Sequence, residues 1–258
     1  MQTQFGDVQI KFSGHVAVVE IQRGPNNYFD YCLIDDLAKA YESLDKESEV
    51  RAIVLCSQGK NFCAGGDFRN TTRDEVAVIN VGDLYTQAVR LFRTNKPVIA
   101  AIQGAAVGGG LGLACSADFR FAAPATRFCA NFSKLAMHAG FGLSHTLPRL
   151  IGNQKSQLMF YTGRRIPGEQ AFEWGLADQL CAQDSLRDEA IKFAAEIAAG
   201  APIAIESMRL TARHGLADAV RLATLREQTE QGKHMQTQDH VEGVLSVNER
   251  REPVFRRL

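Results

Sequence analysis

The chain has 258 residues, 45% hydrophobic and 22% charged, so it can bury one large core. Its 29 basic and 29 acidic residues cancel, which disfavours a nucleic-acid partner, because such partners are gathered by a basic field. Six cysteines without a CxxC pair indicate packed, reduced thiols and no metal site. With no leader-like N-terminus and no membrane-length apolar run, we expect a cytoplasmic protein.

The first elements in the chain predict strand, strand, helix, strand. Residues 8–12 and 16–21 alternate around a Ser-Gly turn, which indicates a hairpin. Apolar residues then recur at helical spacing over 31–44, and 51–56 is a continuous apolar run typical of a buried strand.

The same order returns further along the chain. A helix is predicted over 81–92, a buried strand over 98–102, a short helix from Gly109 and a strand over 118–122. Because the elements repeat while the sequence has no fixed period, the pattern favours a superhelix of ββα turns over a true sequence repeat.

Beyond residue 151 the pattern becomes helical. The segments from 200 onward are too thin to own a core, so we expect residues 1–199 to form the core with the site, and 200–258 to pack on it or on a neighbouring subunit. Helical spacing is found at 154–161, 168–174, 185–199, 203–214 and 216–232.

Two glycine-rich segments carry the chemistry. In the first, residues 59–68, a strand is followed by small residues up to Gly66, so another molecule could approach the main-chain N–H groups. The alternative is a tight turn in which Asp67 caps the next helix. In the second, residues 103–112, three glycines join a buried strand to a helix, whose N-terminus offers unpaired donors and a positive dipole end. Close helix–strand packing is its alternative, and a dinucleotide fingerprint does not fit the glycine register.

An ordered set of segments resembles the crotonase superfamily of enoyl-CoA hydratases and isomerases, over roughly residues 8–215. The resemblance implies a crotonase-like α/β fold, a ββα superhelix with a C-terminal helical trimerisation region. It also implies homotrimers or hexamers, built as dimers of trimers, and an acyl-CoA substrate. The segments are 61–68, 102–110, 115–122, 147–152, 161–164 and 171–177.

The resemblance also assigns residues. The two N–H groups that stabilise a thioester oxyanion in the family fall on Gly66 and Gly109, the glycines already selected above. No metal is expected, nor any cofactor beyond the coenzyme A carried as the substrate thioester. The coenzyme contacts would lie near Arg23, Asn27, Ala64 and Asp67.

The chain departs from the family where hydratases carry two glutamates. One of those positions is Gly112 and the other is Phe132, and neither can move a proton. We therefore expect an isomerase, or an acyl-CoA lyase or other acyl-CoA-transforming enzyme, and not a standard enoyl-CoA hydratase. A more apolar pocket would suit an aromatic or alicyclic acyl group. The alternative is an acyl-CoA-binding homologue without catalysis.

A substitute acid or base is predicted at His138, because a neutral imidazole near an enolisable thioester could transfer a proton near neutral pH. A histidine merely hydrogen-bonded in its turn is an equally good interpretation. We expect His145 to pack. Ser144 and His145 do not form a nucleophile–base pair, because adjacent helical residues diverge by roughly 100°.

Overall fold

A computed structural model describes residues 2–68 and 82–258. Within this part of the chain the ten strands are β1 (Gln4–Phe5), β2 (Val8–Ser13), β3 (Val16–Ile21), β4 (Ala52–Ser57), β5 (Val98–Ile102), β6 (Ala105–Val107), β7 (Phe119–Ala122), β8 (Arg127–Cys129), β9 (Arg165–Pro167) and β10 (Gln179–Leu180). Its ten α-helices are α1 (Tyr31–Asp45), α2 (Gly82–Leu91), α3 (Gly109–Ser116), α4 (Leu143–Ile151), α5 (Asn153–Thr162), α6 (Gly168–Trp174), α7 (Leu186–Ala198), α8 (Pro202–Ala212), α9 (Leu216–His234) and α10 (Gln238–Glu249). A 3₁₀ helix spans Asn131–Leu135.

In the described part of the chain, the larger sheet has seven strands in the order β1-β2-β3-β4-β5-β7-β10. The predicted hairpin is its antiparallel part, β2 with β3, and every pair from β3 to β10 is parallel. Strands β3, β4 and β5 are buried throughout because helix α1 packs within the core on one face and α7 covers the other. Burial on both faces explains the continuous apolar runs at 52–56 in β4 and 98–102 in β5. The predicted α/β class is confirmed.

A smaller sheet holds β6, β8 and β9, with β8 parallel to β6 and antiparallel to β9. The chain passes from the large sheet to the small one at Gly104, whose φ is +62° and whose added Cβ would overlap the carbonyl oxygen of Lys60. Only glycine fits that crossing. These strands are three residues each, too short for alternation to show, and the sequence did not predict them.

The last two helices, α9 and α10, pack on the same chain's core. Helix α9 lies against α2 and α4, and α10 lies against the 3₁₀ helix. The division at residue 199 stays a prediction. Val81, the predicted start of α2, lies outside the described residues. Among residues 2–68 and 82–258, none of the helices combines the length and hydropathy that crossing a bilayer demands.

Candidate active site

The two glycine-rich loops run side by side. Cys63 and Ala106 form an isolated parallel bridge. The N–H of Cys63 donates to the carbonyl of Ala105 at 3.0 Å, and the N–H of Val107 donates to the carbonyl of Cys63 at 3.0 Å. The segments that follow, containing Gly66 and Gly109, therefore leave this short ladder from neighbouring positions.

Glycines permit the contact between these loops. A Cβ added at Gly65, whose φ is +93°, would lie 3.1 Å from the carbonyl oxygen of Val107. One added at Gly110 would overlap the carbonyl oxygen of Cys63. Close packing, the alternative interpretation of the second segment, therefore accounts for Gly110, and a close backbone approach also explains the glycine at 65 in the first segment.

The N–H groups of Gly66 and Gly109 have no hydrogen-bond acceptor among residues 2–68 and 82–258. Gly109 is the first residue of α3, so its N–H has no partner within the helix and lies at the positive end of the helix dipole. Two adjacent loops thus each present a free main-chain donor, which is the arrangement that an oxyanion requires.

Phe29 packs directly against the start of α3. Its own N–H donates to the carbonyl of Gly65 at 3.0 Å, and a Cβ at Gly109 would overlap its ring. The ring makes an edge contact with Phe141, with centroids 5.9 Å apart and planes at 77°. The two rings form an aromatic wall beside the predicted oxyanion donors.

The positions of the family glutamates are apolar in three dimensions as well as in sequence. A Cβ added at Gly112 would lie 2.6 Å from the Cβ of Phe141, so this phenylalanine fills the space next to the helix. Phe132 is buried, and its ring tip lies 3.8 Å from a Cβ built on Gly108. Burial raises the pKa of the Cys63 thiol to about 12, which favours the protonated thiol over the nucleophilic thiolate.

Two of the predicted coenzyme contacts, Arg23 and Asp67, line one cavity of about 340 Å³ together with Tyr28, Phe29 and Asp30. The guanidinium of Arg23 already pairs with the carboxylate of Asp30 at 2.8 Å. Because Phe29 belongs both to this cavity and to the aromatic wall, the cavity borders the glycine loops. An elongated thioester could therefore extend from one to the other.

Asn27 and Ala64, the other two predicted coenzyme contacts, support the loop. Asn27 is completely buried, and its amide donates to the carbonyls of Gln58 at 2.7 Å and Asn61 at 2.6 Å. A coenzyme contact by this side chain would have to replace those bonds. The N–H of Ala64 donates to the carbonyl of Asn26 at 3.0 Å.

His138 is half-buried between its turn and α9. Its N–H donates to Nδ1 of His234 at 3.0 Å, and its carbonyl accepts from the amide of Gln231 at 2.8 Å. Its own Nδ1 lies 2.8 Å from the carbonyl oxygen of Ala139. These contacts fit the turn interpretation, and a catalytic role for His138 stays a prediction.

Three residues of this site were missed from the sequence: Phe29, Phe141 and Glu227. The phenylalanines carry no pattern beyond ordinary core residues. Glu227 is completely buried in α9, although helical spacing there predicts nothing but an ordinary polar position, and it accepts a hydrogen bond from Oγ of Ser144 at 2.6 Å. That bond, and not one with His145, engages the serine hydroxyl. The described residues contain no cluster of side chains that could hold a metal ion.

Known proteins resemble this chain along nearly its whole length. Residues 11–257 match the family model described as enoyl-CoA hydratase/isomerase. The putative enoyl-CoA hydratase/isomerase YngF of Bacillus subtilis is 31% identical over 246 residues, or 94% of this chain and 95% of that protein. (E)-benzylidenesuccinyl-CoA hydratase of Thauera aromatica is 31% identical over 255 residues, or 96% and 98%.

Solved structures agree. An enoyl-CoA hydratase from Bacillus anthracis is 29% identical, matches 96% of this chain and 98% of its own, and superposes with a TM-score of 0.75. One from Mycobacterium avium subsp. paratuberculosis K-10 reaches a TM-score of 0.85 at 24% identity, over 98% and 100% of the chains, and shows the shared fold. The chain belongs to the enoyl-CoA hydratase/isomerase family, within the crotonase superfamily.

Proposed function

We propose that the chain is an acyl-CoA enzyme that stabilises the enolate or oxyanion of a thioester with the backbone N–H groups of Gly66 and Gly109. The observation that carries the proposal is the short ladder between the two glycine loops, which brings two unpaired donors into one region. Donors fixed by the backbone need no reorganisation when charge develops on the thioester oxygen, which is why such holes accelerate enolisation.

The reaction is proposed to be an isomerisation, or else a lyase-type or other transformation of the acyl group. Syn addition of water uses two carboxylates to hold and activate the water, and this chain has Gly112 and Phe132 at those positions. The relatives named hydratase keep hydration as the competing outcome. We place His138 as the candidate acid or base.

An aromatic or alicyclic acyl group fits this site best. Phe29 and Phe141 form an apolar wall beside Gly109, and aromatic rings pack favourably edge to face against one another. The name of the Thauera aromatica relative specifies a benzylidene group, which supports the same substrate class. Coenzyme contacts at Arg23 and Asp67 complete the proposal, together with a homotrimer or hexamer as the assembly.

The direct test is solvent-deuterium exchange at the α-carbon of phenylacetyl-CoA, with a pair of variants at Gly66. Gly66→Pro removes the N–H, whereas Gly66→Ala keeps it and adds a Cβ that, among the residues the structure describes, meets only the Phe68 ring at 3.4 Å. We expect the proline variant to lose about 100-fold or more in exchange rate, since that is the usual cost of one oxyanion donor. The alanine variant should stay within a few-fold of the wild type.

Equal losses in both variants would contradict the role of this N–H, because alanine retains it. Binding of phenylacetyl-CoA without any exchange in the wild type would instead support the non-catalytic alternative. Rapid hydration of an enoyl thioester such as crotonyl-CoA would overturn the assignment of a reaction other than hydration.

A further inference from the structure

Glu227 is a buried carboxylate bound to a single turn. One of its oxygens accepts from the N–H of Gly142 at 2.7 Å, and the other accepts from the N–H of Ser144 at 2.9 Å and from its hydroxyl at 2.6 Å. Among residues 2–68 and 82–258, no lysine or arginine forms an ion pair with it. A carboxyl buried this way is costly unless hydrogen bonds compensate, and all of them come from one turn.

The backbone of that turn is strained at the residue that directly precedes the two bonded amides. Phe141 has a φ of +62°, in the left-handed region that bulky residues rarely adopt. Such a conformation persists only where the surroundings impose it. The bonds from Gly142 and Ser144 to Glu227 hold the chain on the C-terminal side of Phe141.

Helix α9 also holds the other end of residues 138–144, which we call the Phe141 turn. Gln231, one helical turn after Glu227, donates to the carbonyl of His138 at 2.8 Å and accepts from the hydroxyl of Tyr85 at 2.7 Å. That hydroxyl lies where a Cβ at Gly140 would be. Both ends of the turn are therefore fastened to the C-terminal helical region.

The turn faces the predicted oxyanion helix. Phe141 is 1% exposed, lies over Gly112 and contacts the Phe29 ring, which in turn covers Gly109. A thioester whose oxygen met the Gly109 N–H would place its acyl group near this wall. The position of the Phe141 ring would then decide how an aromatic acyl group packs.

We propose that Glu227 is a positioning residue that holds Phe141 against helix α3 and thereby sets the selectivity of the site for aromatic over small acyl groups. The inference rests on the proposed function. It also gives α9 a part in the site, through the hydrogen bonds of Glu227 and Gln231 to the Phe141 turn.

Calorimetry with coenzyme A, acetyl-CoA and phenylacetyl-CoA tests this role. In Glu227→Gln the amide must point its NH₂ group at one of the two backbone N–H donors, so the turn loses a bond and gains a repulsion. We expect the affinity for phenylacetyl-CoA to fall about tenfold relative to that for acetyl-CoA, the size of effect that the loss of a good aromatic contact produces. The affinity for coenzyme A itself should not change. Ser144→Ala removes one bond at an exposed residue and should shift the ratio about threefold the same way.

The matched control is Glu230→Gln, the same change of charge on the same helix, at a carboxylate that pairs with Arg226 and Lys233. Its affinity ratio should equal that of the wild type. If Glu227 had a structural role alone, Glu227→Gln would lower the unfolding midpoint but leave the affinity ratio unchanged. That result would overturn the proposal.

Two further results are decisive. If Glu227→Gln does not fold, an unchanged ratio in Ser144→Ala overturns the positioning role and a shifted one supports it. If the wild type binds neither thioester, the proposed function itself fails and the positioning role falls with it, whereas wild-type binding with a fixed ratio in the variants removes the role of Glu227 alone.

Discussion

At residue 112 the molecule has room for a hydrogen atom and little more. Gly112 lies within α3, where alanine is ordinarily the better residue by about 1 kcal/mol. The Cβ of Phe141, however, lies 2.6 Å from where a Cβ of residue 112 would be. Because a Cβ is bonded directly to the backbone, rotation of the Phe141 side chain cannot relieve this overlap. With Phe141 in this position, a glutamate side chain at residue 112 does not fit.

A double-mutant cycle tests that coupling. We expect Gly112→Ala to destabilise the wild type by about 1–3 kcal/mol in urea unfolding, the usual cost of overpacking a core. In a Phe141→Gly background, which removes the clash and suits the positive φ, the same change should be neutral or stabilising by up to about 1 kcal/mol. An identical cost in both backgrounds would show that Phe141 is not what excludes a side chain at this position.

Among the elements, α8 has no buried residue of its own. Ile203 is 84% exposed and Leu210 is 67% exposed, and at a separation of seven residues they share one face of the helix. Nε of Arg209 forms an ion pair with the carboxylate of Asp118 at 2.8 Å and so fixes the orientation of the helix on the core. In this orientation Ile203 and Leu210 face away from the core. Held exposed in this way, the face is typical of a surface that a partner covers.

Because the proposed assembly is a homotrimer or hexamer, we expect α8 to lie in its interface. The wild-type mass in solution should be three or six times 28.3 kDa, and Ile203→Asp together with Leu210→Asp should lower it by burying charge at the contact. Phe12→Ser, which removes an exposed apolar side chain from β2, is the control and should leave the mass unchanged. A wild-type monomer would contradict the proposed assembly.

For the whole molecule, the buried His240 and the half-buried His234 link stability to pH. Burial lowers the pKa of His240 and of His234 below the ordinary value. Nδ1 of His240 lies 2.7 Å from the carbonyl oxygen of Leu135, and its Nε2 has no partner among the described residues. The folded state therefore favours neutral rings, and a proton added to Nε2 would be buried without an acceptor.

The direction in which stability changes with pH follows from proton uptake by the folded and unfolded chains. Below the ordinary histidine pKa near 6.5 the unfolded chain takes up protons that the folded chain refuses, so stability falls as the pH drops from about 8 to about 5.5. Glu227 acts in the opposite direction, because burial raises its pKa, although bonds from Ser144 and Gly142 oppose the rise. Urea unfolding of His240→Asn, which keeps a donor for Leu135, should show a smaller loss over this range. A loss equal to that of the wild type would exclude His240 as a source.

Local signals determined much of this protein in advance. Alternation and helical spacing placed the hairpin, strands β4 and β5, and most helices within two residues, because those patterns arise between near neighbours in the chain. The glycine run before α3 likewise indicated free donors from sequence alone. The sequence did not predict helix α10, because Gly243 interrupts the spacing of its apolar residues. In the fold this glycine lies on the buried face and packs closely on Leu135.

Tertiary structure alone decided the rest. The bridge that aligns the two glycine loops, the Phe141 ring over Gly112 and the burial of Glu227 each join segments far apart in the chain. No periodicity records such contacts, since periodicity reports which face of an element is apolar and not which residue meets it. The sequence thus predicted the two N–H donors, whereas the aromatic wall and the bonds of Glu227 to the Phe141 turn were found only in the tertiary structure.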